Sequence, residues 1–453
     1  MKETTTPPAG DVHYHHLDAL RGMFMLVGVF VHVSTLGHDR VFRGIAYASG
    51  LFRMQGFYLI SGFLSAMLIG KYGAARTVRR RVAAVGAPLL STLVLFNPAT
   101  LWLTYNFHND PNVSFPGFLR GQTIPHPQGE LHWTLHLWFL IVLLVYVLCT
   151  PAVVVILSRA VPTAAFRQAT AGRLRTMTTI VMAMLVFTIV LRGGRRAVIE
   201  PVLGTGTVGE LARFTLEFLP YYCLGVLLYL DRTRLLAHFQ RPAPVLLAVS
   251  GLALLAGDRG WVAQLGTGTG LVLTDTVFSI ALVATMFAVG AWLVPGPHPA
   301  ARYLADASYT VYLFHFFFIY VLATLFGFDT SLHWPTMLLL ALLTIAVTLA
   351  IHQFLILRSA FLRKMFNGKF PARAGGSGRA AAPAAGPEHQ VARPAAGVGH
   401  HAEFGDIEFG DPESTLPLAN GRGALADAER TQRLTWVYQP RIAPGQSGNR
   451  GYL

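Results

Sequence analysis

The stretch LDALRGMFMLVGVFVHVSTL, residues 17–36, is an apolar run that decides how the chain folds. As an α-helix it would extend about 30 Å, which is the thickness of the hydrocarbon core of a bilayer. Further apolar runs follow it. The ten predicted spans cover residues 17–36, 46–70, 82–105, 135–157, 177–191, 211–230, 245–256, 271–294, 303–326 and 335–357. The sequence therefore predicts an all-α, polytopic membrane protein with about ten transmembrane helices, of which the fifth and seventh are short for a span.

Composition supports a lipid environment. The chain is 53% hydrophobic and only 13% charged, with a mean hydropathy of +0.48, whereas soluble domains carry about 25% charged residues. Its two cysteines, Cys149 and Cys223, lie inside apolar runs, which excludes a disulfide framework and a cysteine metal site. No metal is expected. The polar first residues carry no cleavable signal pattern, so the first span is predicted to act as an uncleaved anchor.

The net charge of +14 does not indicate a nucleic-acid partner, because of where the charge lies. Residues 371–453 hold eight arginines and eight acidic residues and are neutral. The excess of basic residues therefore belongs to the connections between spans. Such an excess is typical of loops that set membrane orientation and contact anionic headgroups.

Alternate connections carry the arginines, and these set the predicted topology. The basic residues of the second-to-third, fourth-to-fifth and sixth-to-seventh connections are Lys71, Arg76, Arg79, Arg80, Arg81, Arg159, Arg167, Arg173, Arg175, Arg232, Arg234 and Arg241. Basic loops remain in the cytoplasm, so both termini are predicted to be cytoplasmic, in a bacterial inner membrane. Arg192, Arg195 and Arg196, in an outward connection, run against this pattern.

Three regions follow from this organisation. Residues 1–16 are predicted to form a cytoplasmic N-terminal segment and residues 17–370 a membrane domain. Residues 371–453 are rich in Ala, Pro, Gly and charge, and such a composition cannot bury enough apolar surface to offset the entropy of ordering. They are predicted to be a disordered cytoplasmic tail.

The first span carries two ionisable residues on one face. Arg21 and His32 are eleven residues apart, which is about three helical turns and ~16 Å along the axis. Asp18 lies one turn before Arg21 and is predicted to pair with it. Ionisable groups inside a membrane are costly and usually line a cavity or pathway. The alternative is structural: Arg21 would extend to the headgroups and His32 would bind a neighbouring helix.

Arg21, in the motif Leu-Asp-x-Leu-Arg-Gly, together with His32 eleven residues further along, resembles the signature of acyltransferase family 3. Further motifs resemble the branch that succinylates osmoregulated periplasmic glucans. They are Phe52-Arg53-Met54-Gln55 with Phe57 and Ile60-Ser61-Gly62, His136-Leu137-Trp138-Phe139-Leu140, Leu219-Pro220-Tyr221-Tyr222 with Leu224-Gly225, and Ala307-Ser308 with Tyr312-Leu313-x-His315. The resemblance covers residues 14 to 370 in order, and the tail lies outside it.

The resemblance implies a ten-span enzyme that takes an acyl group, succinyl in the first instance, from cytoplasmic acyl-CoA. The acceptor would be a hydroxyl of a periplasmic glucan, and acyl-CoA would be a co-substrate rather than a permanently bound cofactor. Arg21 at the inner surface suits the phosphates of coenzyme A. His32 suits general-base work, since an unperturbed imidazole titrates near neutrality. The resemblance places His315, with Asp18, beside them in the catalytic set.

Donor binding is further assigned to Arg80, Arg81 and Arg53. Arg80 and Arg81 end the basic run before Pro88, which resembles an arginine-rich element of the family, although the same arginines also satisfy the positive-inside rule. Where the family has a second arginine nearer the proline, this chain has Ala83-Ala84. Arg53 lies deep in the second run, where an arginine is costly unless it is paired or wet, and is predicted to line the reaction cavity.

Acceptor binding is assigned to Gln55, His136, Trp138, Asp275 and Tyr312. Asp275, at the outward end of the eighth span, would orient an imidazole or accept sugar hydroxyls. Taken singly, an intramembrane histidine such as His136 more often binds another helix than a substrate.

Two other classes of protein compete with the enzyme. A transporter or flippase for a glycan would use the same polar residues as a permeation path, but the sequence shows no evident inverted repeat. A non-catalytic partner of a glycan synthase would not need the clustered His and Arg residues. Within the enzyme class, an O-acetyltransferase of another surface polysaccharide would carry the same arginine and histidine. The sequence does not indicate the oligomeric state.

Overall fold

The computed structural model describes residues 14–37, 39–109, 112–121, 133–204, 206–241, 243–265 and 269–369. Every regular element in these ranges is helical, which confirms the all-α prediction. The α-helices are α1 His15–Val33, α2 Arg40–Tyr72, α3 Ala74–Leu95, α4 Asn97–His108, α5 Phe115–Leu119, α6 Trp138–Ala160, α7 Ala164–Ala169, α8 Arg173–Gly194, α9 Glu200–Leu203, α10 Thr207–Leu230, α11 Ala237–Phe239, α12 Pro244–Asp258, α13 Thr269–Leu293, α14 Pro299–Leu325, α15 Trp334–Ile351 and α16 Ala360–Asn367. The predicted tail, 371–453, and most of the predicted N-terminal segment lie outside the described residues and stay predictions.

Shorter helical turns extend several of these helices. A 3₁₀ turn, Ser34–Leu36, continues α1, and another, Leu135–Leu137, leads into α6. A further 3₁₀ turn, Val262–Leu265, precedes α13. Three π turns, Arg195–Ile199, Arg232–Leu236 and His352–Ile356, follow α8, α10 and α15.

The predicted number of spans is confirmed. Eight helical stretches in the described residues are long and apolar enough to cross a membrane, and the count is ten if each of two bent helix pairs forms one span. The chain is therefore a multi-pass membrane protein. All ten predicted runs coincide with these elements. The fifth run was predicted too short, because its helix extends over Arg173–Leu203.

The third span is broken rather than straight. Helices α3 and α4 meet at an angle of 52° around Phe96. Pro98, in the first turn of α4, is the physical cause. Proline has no amide hydrogen for the preceding turn and disfavours helical geometry at the residue before it, so a helix tends to break there. The seventh span is likewise a bent pair, Arg232–Phe239 with Pro244–Asp258, at 51°.

Helices α1, α2 and α14 form the part of the bundle that matters for function. α1 and α14 run parallel and in register, because Gly22 lies against Leu304 and His32 lies beside His315. α2 runs antiparallel to α1, with Phe24 against Gly56 and Phe57. Since the residue spacing is equal along α1 and α14, polar residues on the two helices recur at matching heights.

Close helix packing holds α2 in this position. Gly62 of α2 lies directly against the backbone carbonyl of Tyr222, and Gly225 of α10 lies against the carbonyl of Leu59. A side chain at either position would separate the helices. Small residues at a crossing point are how membrane helices gain dispersion contacts without help from the hydrophobic effect. The crossing fixes the depth at which α2 presents its polar residues to α1.

Candidate active site

Three histidines from three separate parts of the chain converge in the bundle. The ring centroids of His32 and His315 are 5.0 Å apart, those of His136 and His315 are 5.1 Å apart, and those of His32 and His136 are 6.2 Å apart. All three side chains are buried, with at most 8% of each residue exposed. Buried imidazoles in an apolar bundle are costly unless they serve a purpose. We call these three residues the histidine cluster.

The cluster lies far from the start of α1. His32 is seventeen residues from His15, and His315 is sixteen residues from Pro299 at the start of α14. Both rings therefore lie about 25 Å along their helices. If the N-terminal ends of α1 and α14 face the cytoplasm, as the loops predict, the cluster lies in the outer part of the membrane.

Hydrogen bonds fix the ring of His315. Its Nδ1 lies 2.9 Å from the carbonyl oxygen of Val311 and 2.8 Å from that of Tyr312. A carbonyl oxygen can only accept, so Nδ1 carries a proton. In the neutral ring Nε2 then holds the lone pair, and this buried atom has no hydrogen-bond partner among the described residues. His315 thus presents a proton acceptor to the cluster.

A strained turn positions His136. Its neighbour Leu135 has a φ of +43°, the single positive φ of a residue other than glycine in the described part of the chain. Such a conformation costs of order 1–3 kcal/mol and is retained where the surroundings determine it. Here the hydroxyl of Tyr312 donates to the backbone carbonyl of His136 at 2.5 Å. Thr134 and Leu135 are buried beside it. The turn is held in place by α14.

Arg53 joins the histidine cluster from α2. Its guanidinium packs against Gly28, where a Cβ atom would lie only 2.5 Å from Nη1. Gly28 is one turn before His32, and Arg53 is within electrostatic range of both His32 and His315. Arg53 is buried, with 7% of the residue exposed, and its predicted place in the lining of a reaction cavity stays a prediction. A cation therefore lies beside the three imidazoles.

A second group of polar residues lies near the start of α1. Arg21 and Asp18 form the predicted pair, with 3.7 Å between Nη1 and Oδ1. The side chains are 36% and 22% exposed, so the pair remains accessible. Arg81 of α3 lies within electrostatic range of Arg21. We call Arg21 and Arg81 the cationic end of the site.

Arg81 and Arg80, adjacent in sequence, have different surroundings. The guanidinium of Arg80 lies over the ring of Tyr72, 5.0 Å from its centroid. Arg81 lies among Arg21, Tyr222 and Tyr309, and its buried Nε has no hydrogen-bond partner among the described residues. The structure therefore brings Arg81 to Arg21 and leaves Arg80 on the aromatic ring.

One face of α14 connects the two ends. Tyr309, Tyr312 and His315 follow at three-residue spacing, which places them on one side of a helix. Tyr309 faces the cationic end, with Arg21 and Arg81 in electrostatic range. Tyr312 lies 5.3 Å from His136 between ring centroids. The column of side chains runs parallel to the ~16 Å that separates Arg21 from His32 along α1.

Gln55 and Asp275 belong to a different polar group. The Gln55 amide nitrogen donates to the Gly50 carbonyl at 2.9 Å and reaches Ser279 Oγ at 3.5 Å. Ser279 also hydrogen-bonds Tyr221, and Asp275 lies within electrostatic range of Tyr221. The sequence placed Gln55 and Asp275 with the acceptor. The structure places them together, along the interface of α2, α10 and α13.

Trp138 is packed in an aromatic stack. Its ring lies 4.1 Å from Phe214 and 6.0 Å from Phe218 between centroids, and 4% of the residue is exposed. This position supports the first turn of α6, directly after His136. Contact between Trp138 and a substrate stays a prediction.

Two contributors to the site were missed by the sequence analysis. Phe316 stacks on His136 at 5.1 Å and meets His32 edge-on at 5.0 Å, so it closes one side of the histidine cluster. In the sequence, only the position of Phe316 next to His315 indicates a role for it. Gly28 is the second contributor that was missed. A small residue one turn before an intramembrane histidine indicates that another group approaches there. No group of three or more metal-ligating residues in the described ranges has metal-binding geometry.

The arrangement thus combines an accessible cationic end, a column of tyrosines and a buried set of proton acceptors beside an arginine, all within a membrane bundle. It fits a transfer enzyme whose site has one charged end and one end with buried proton acceptors. The comparison with known families agrees: the acyltransferase domain family matches residues 14–353, three quarters of the chain. The chain belongs to this acyltransferase family and is a membrane acyltransferase.

Two named proteins are similar to the chain over most of its length. Glucans biosynthesis protein C of Escherichia coli (strain K12) is 26% identical over 384 residues, covering 78% of this chain and 94% of that protein. The protein of the same name from Shigella dysenteriae serotype 1 shows the same identity and coverage. No solved structure matches the chain.

Proposed function

We propose that this protein transfers an acyl group, in the first instance succinyl, from cytoplasmic acyl-CoA to a hydroxyl group of a periplasmic glucan. The observation that carries the proposal is the placement of Arg21 and His32 on one face of α1, with His32 inside the histidine cluster. The similarity to glucans biosynthesis protein C over most of both chains supports a glucan as the acceptor.

The donor would bind at the cationic end. Arg21 and Arg81 offer two guanidinium groups, whose planar forks match phosphate oxygens better than ammonium groups do. The pantetheine arm of coenzyme A is an extended chain that carries the thioester away from the nucleotide phosphates. Tyr309 and Tyr312 supply amphipathic rings along the path that this arm would follow towards His32.

The transfer step would take place at the histidine cluster. His32 accepts the proton of the acceptor hydroxyl as that oxygen bonds to the thioester carbonyl carbon. Arg53 is placed to stabilise the negative charge that develops on the carbonyl oxygen. The carbon–sulfur bond then breaks, and the proton passes from His32 to the leaving thiolate. The products are an ester and free coenzyme A.

His315 and His136 would act by orientation. His315 cannot use Nδ1 as an acceptor, because that atom already donates to backbone carbonyls. Its Nε2 can accept a hydrogen bond from the acceptor hydroxyl or from the ring of His32. An imidazole base that is hydrogen-bonded to a neighbouring acceptor in this way keeps one tautomer and one ring orientation.

The proposal is tested with the purified protein in proteoliposomes, supplied with succinyl-CoA and a periplasmic glucan. We expect release of free coenzyme A together with a glucan that gains succinyl esters, detected by mass spectrometry. Glucans from cells with and without the gene should show the same difference. Movement of unmodified glucan across the bilayer without consumption of acyl-CoA would instead indicate a transporter. Transfer of acetyl but not succinyl groups would still identify an acyltransferase, with acetyl-CoA rather than succinyl-CoA as the donor.

A further inference from the structure

A cavity of about 430 Å³ lies between two connections of the bundle. One wall is the turn that joins α7 to α8, with Arg167 and residues 170–172. The other wall follows α10 and carries Arg234, His238 and Arg241. We call this cavity the basic pocket. It shares no residue with the cationic end or with the histidine cluster.

The basic pocket gathers more positive charge than nearby carboxylates offset. Asp231 binds Arg234 in a bidentate pair, with distances of 3.1 and 2.5 Å. Arg167 and Arg241 form no ion pair with a carboxylate in the described part of the chain. Arg173 adds a further guanidinium, since its Nη2 donates to the backbone carbonyl of Arg241. Four arginines thus converge near one carboxylate.

The start of α8 adds to this charge. Gly172, the N-cap residue of α8, has no side chain and so offers no side-chain acceptor to the first amide groups of the helix. The N-terminal end of a 22-residue helix also carries partial positive charge. In addition, Arg173 Nε is buried without a hydrogen-bond partner among the described residues. Each of these features favours an anion in the pocket.

Membrane orientation alone does not require this geometry. Orientation by positive charge needs basic residues in a loop, and side chains spread over the headgroup region would serve. Here arginines from two separate loops point into one concavity, where like charges repel. A bound phosphate would remove the repulsion and accept the bidentate hydrogen bonds that guanidinium groups form best.

We propose that the basic pocket binds a phosphate group, carried either by the headgroup of an anionic phospholipid or by a soluble nucleotide. The pocket lies at the ends of α8 and α10, where headgroups are within reach. The proposal does not rest on the acyltransfer reaction, because it concerns residues outside that site.

The test compares wild-type protein with the double variant Arg167→Gln/Arg241→Gln. The matched control is Arg159→Gln/Arg175→Gln, which removes the same charge from exposed residues on the same predicted face. Phosphatidylglycerol and phosphatidylcholine binding is measured by native mass spectrometry of the full-length protein in neutral detergent. Adenosine 3′,5′-bisphosphate binding is measured by calorimetry. Thermal unfolding in phosphatidylcholine alone verifies that each variant is folded, and Arg241→Lys tests the guanidinium fork with charge retained.

We expect wild-type and control proteins to bind at least one phosphate probe, and the pocket variant to bind it roughly tenfold or more weakly. Loss confined to phosphatidylglycerol identifies a lipid, and loss confined to the bisphosphate identifies a nucleotide. The proposal is overturned if wild-type protein binds neither probe above the phosphatidylcholine level. It is also overturned if the control loses as much affinity as the pocket variant.

Discussion

The guanidinium of Arg53 lies against Gly28, one helical turn before His32. This contact is possible only because position 28 has no side chain. It brings a positive charge from α2 to the face of α1 that carries the proposed base. The absence of a side chain at position 28 therefore determines which charge lies beside the imidazole of His32.

Gly28→Ala should displace Arg53 and slow acyl transfer roughly tenfold or more, since small misplacements at a reaction centre are costly. The change should do this even though Ala is the better helix former by about 1 kcal/mol. Gly251→Ala is the matched control, because a Cβ there meets no atom within 4 Å. Initial rates of the purified variants provide the measurement. Equal rates for the two alanine variants would show that the position of Arg53 is unimportant.

His315→Asn should preserve folding and abolish most of the activity. The asparagine amide can donate to the carbonyls of Val311 and Tyr312 as Nδ1 does, but it offers nothing at the position of Nε2. Thermal unfolding should therefore change little, while kcat falls. The complementary His315→Gln variant places an amide nearer to Nε2 and should retain more activity. Asparagine and glutamine variants of equal activity would argue that Nε2 has no role.

Tyr312→Phe should destabilise the protein by about 1–3 kcal/mol, because the buried carbonyl of His136 loses its donor. The strained turn at Leu135 should loosen as well, and with it the position of His136. Tyr309→Phe is a control for stability, since its hydroxyl makes only a long contact of 3.4 Å with the Val85 carbonyl. Thermal unfolding in detergent measures the stability of the two phenylalanine variants. A Tyr309 variant that loses as much stability as the Tyr312 variant would contradict the assignment.

Reporter fusions test the predicted orientation. A phosphatase fused after Gly121 should be active, and a fluorescent protein fused after Gly368 should fluoresce, because the first site is predicted to be periplasmic and the second cytoplasmic. The basic connections are the reason for the prediction. The opposite pair of signals would place Arg21 on the periplasmic side, where acyl-CoA is not expected.

The sequence was sufficient for the spans and for the first helix, because both depend on local patterns. Hydropathy located all ten runs, and helical periodicity placed Arg21 and His32 on one face. The pairing of Asp18 with Arg21 followed from their spacing and is confirmed. The break at Phe96 could also have been predicted, since Pro98 follows it directly.

The histidine cluster could not be derived in this way. His32, His136 and His315 come from helices far apart in sequence, and their convergence depends on the register of α1 against α14. That register is set by contacts such as Gly22 with Leu304, which no local pattern reveals. For the same reason the sequence grouped Gln55 with His136, whereas the structure places Gln55 with Ser279.

The central claim is that Arg21 serves the donor and His32 serves proton transfer, and steady-state kinetics of two variants test it most directly. Arg21→Gln should raise KM for acyl-CoA with a smaller effect on kcat. His32→Gln keeps hydrogen bonding but cannot take up a proton, so it should leave KM nearly unchanged and lower kcat on the order of 10²–10⁴-fold. A folded His32→Gln variant that transfers acyl groups at the wild-type rate would contradict the account.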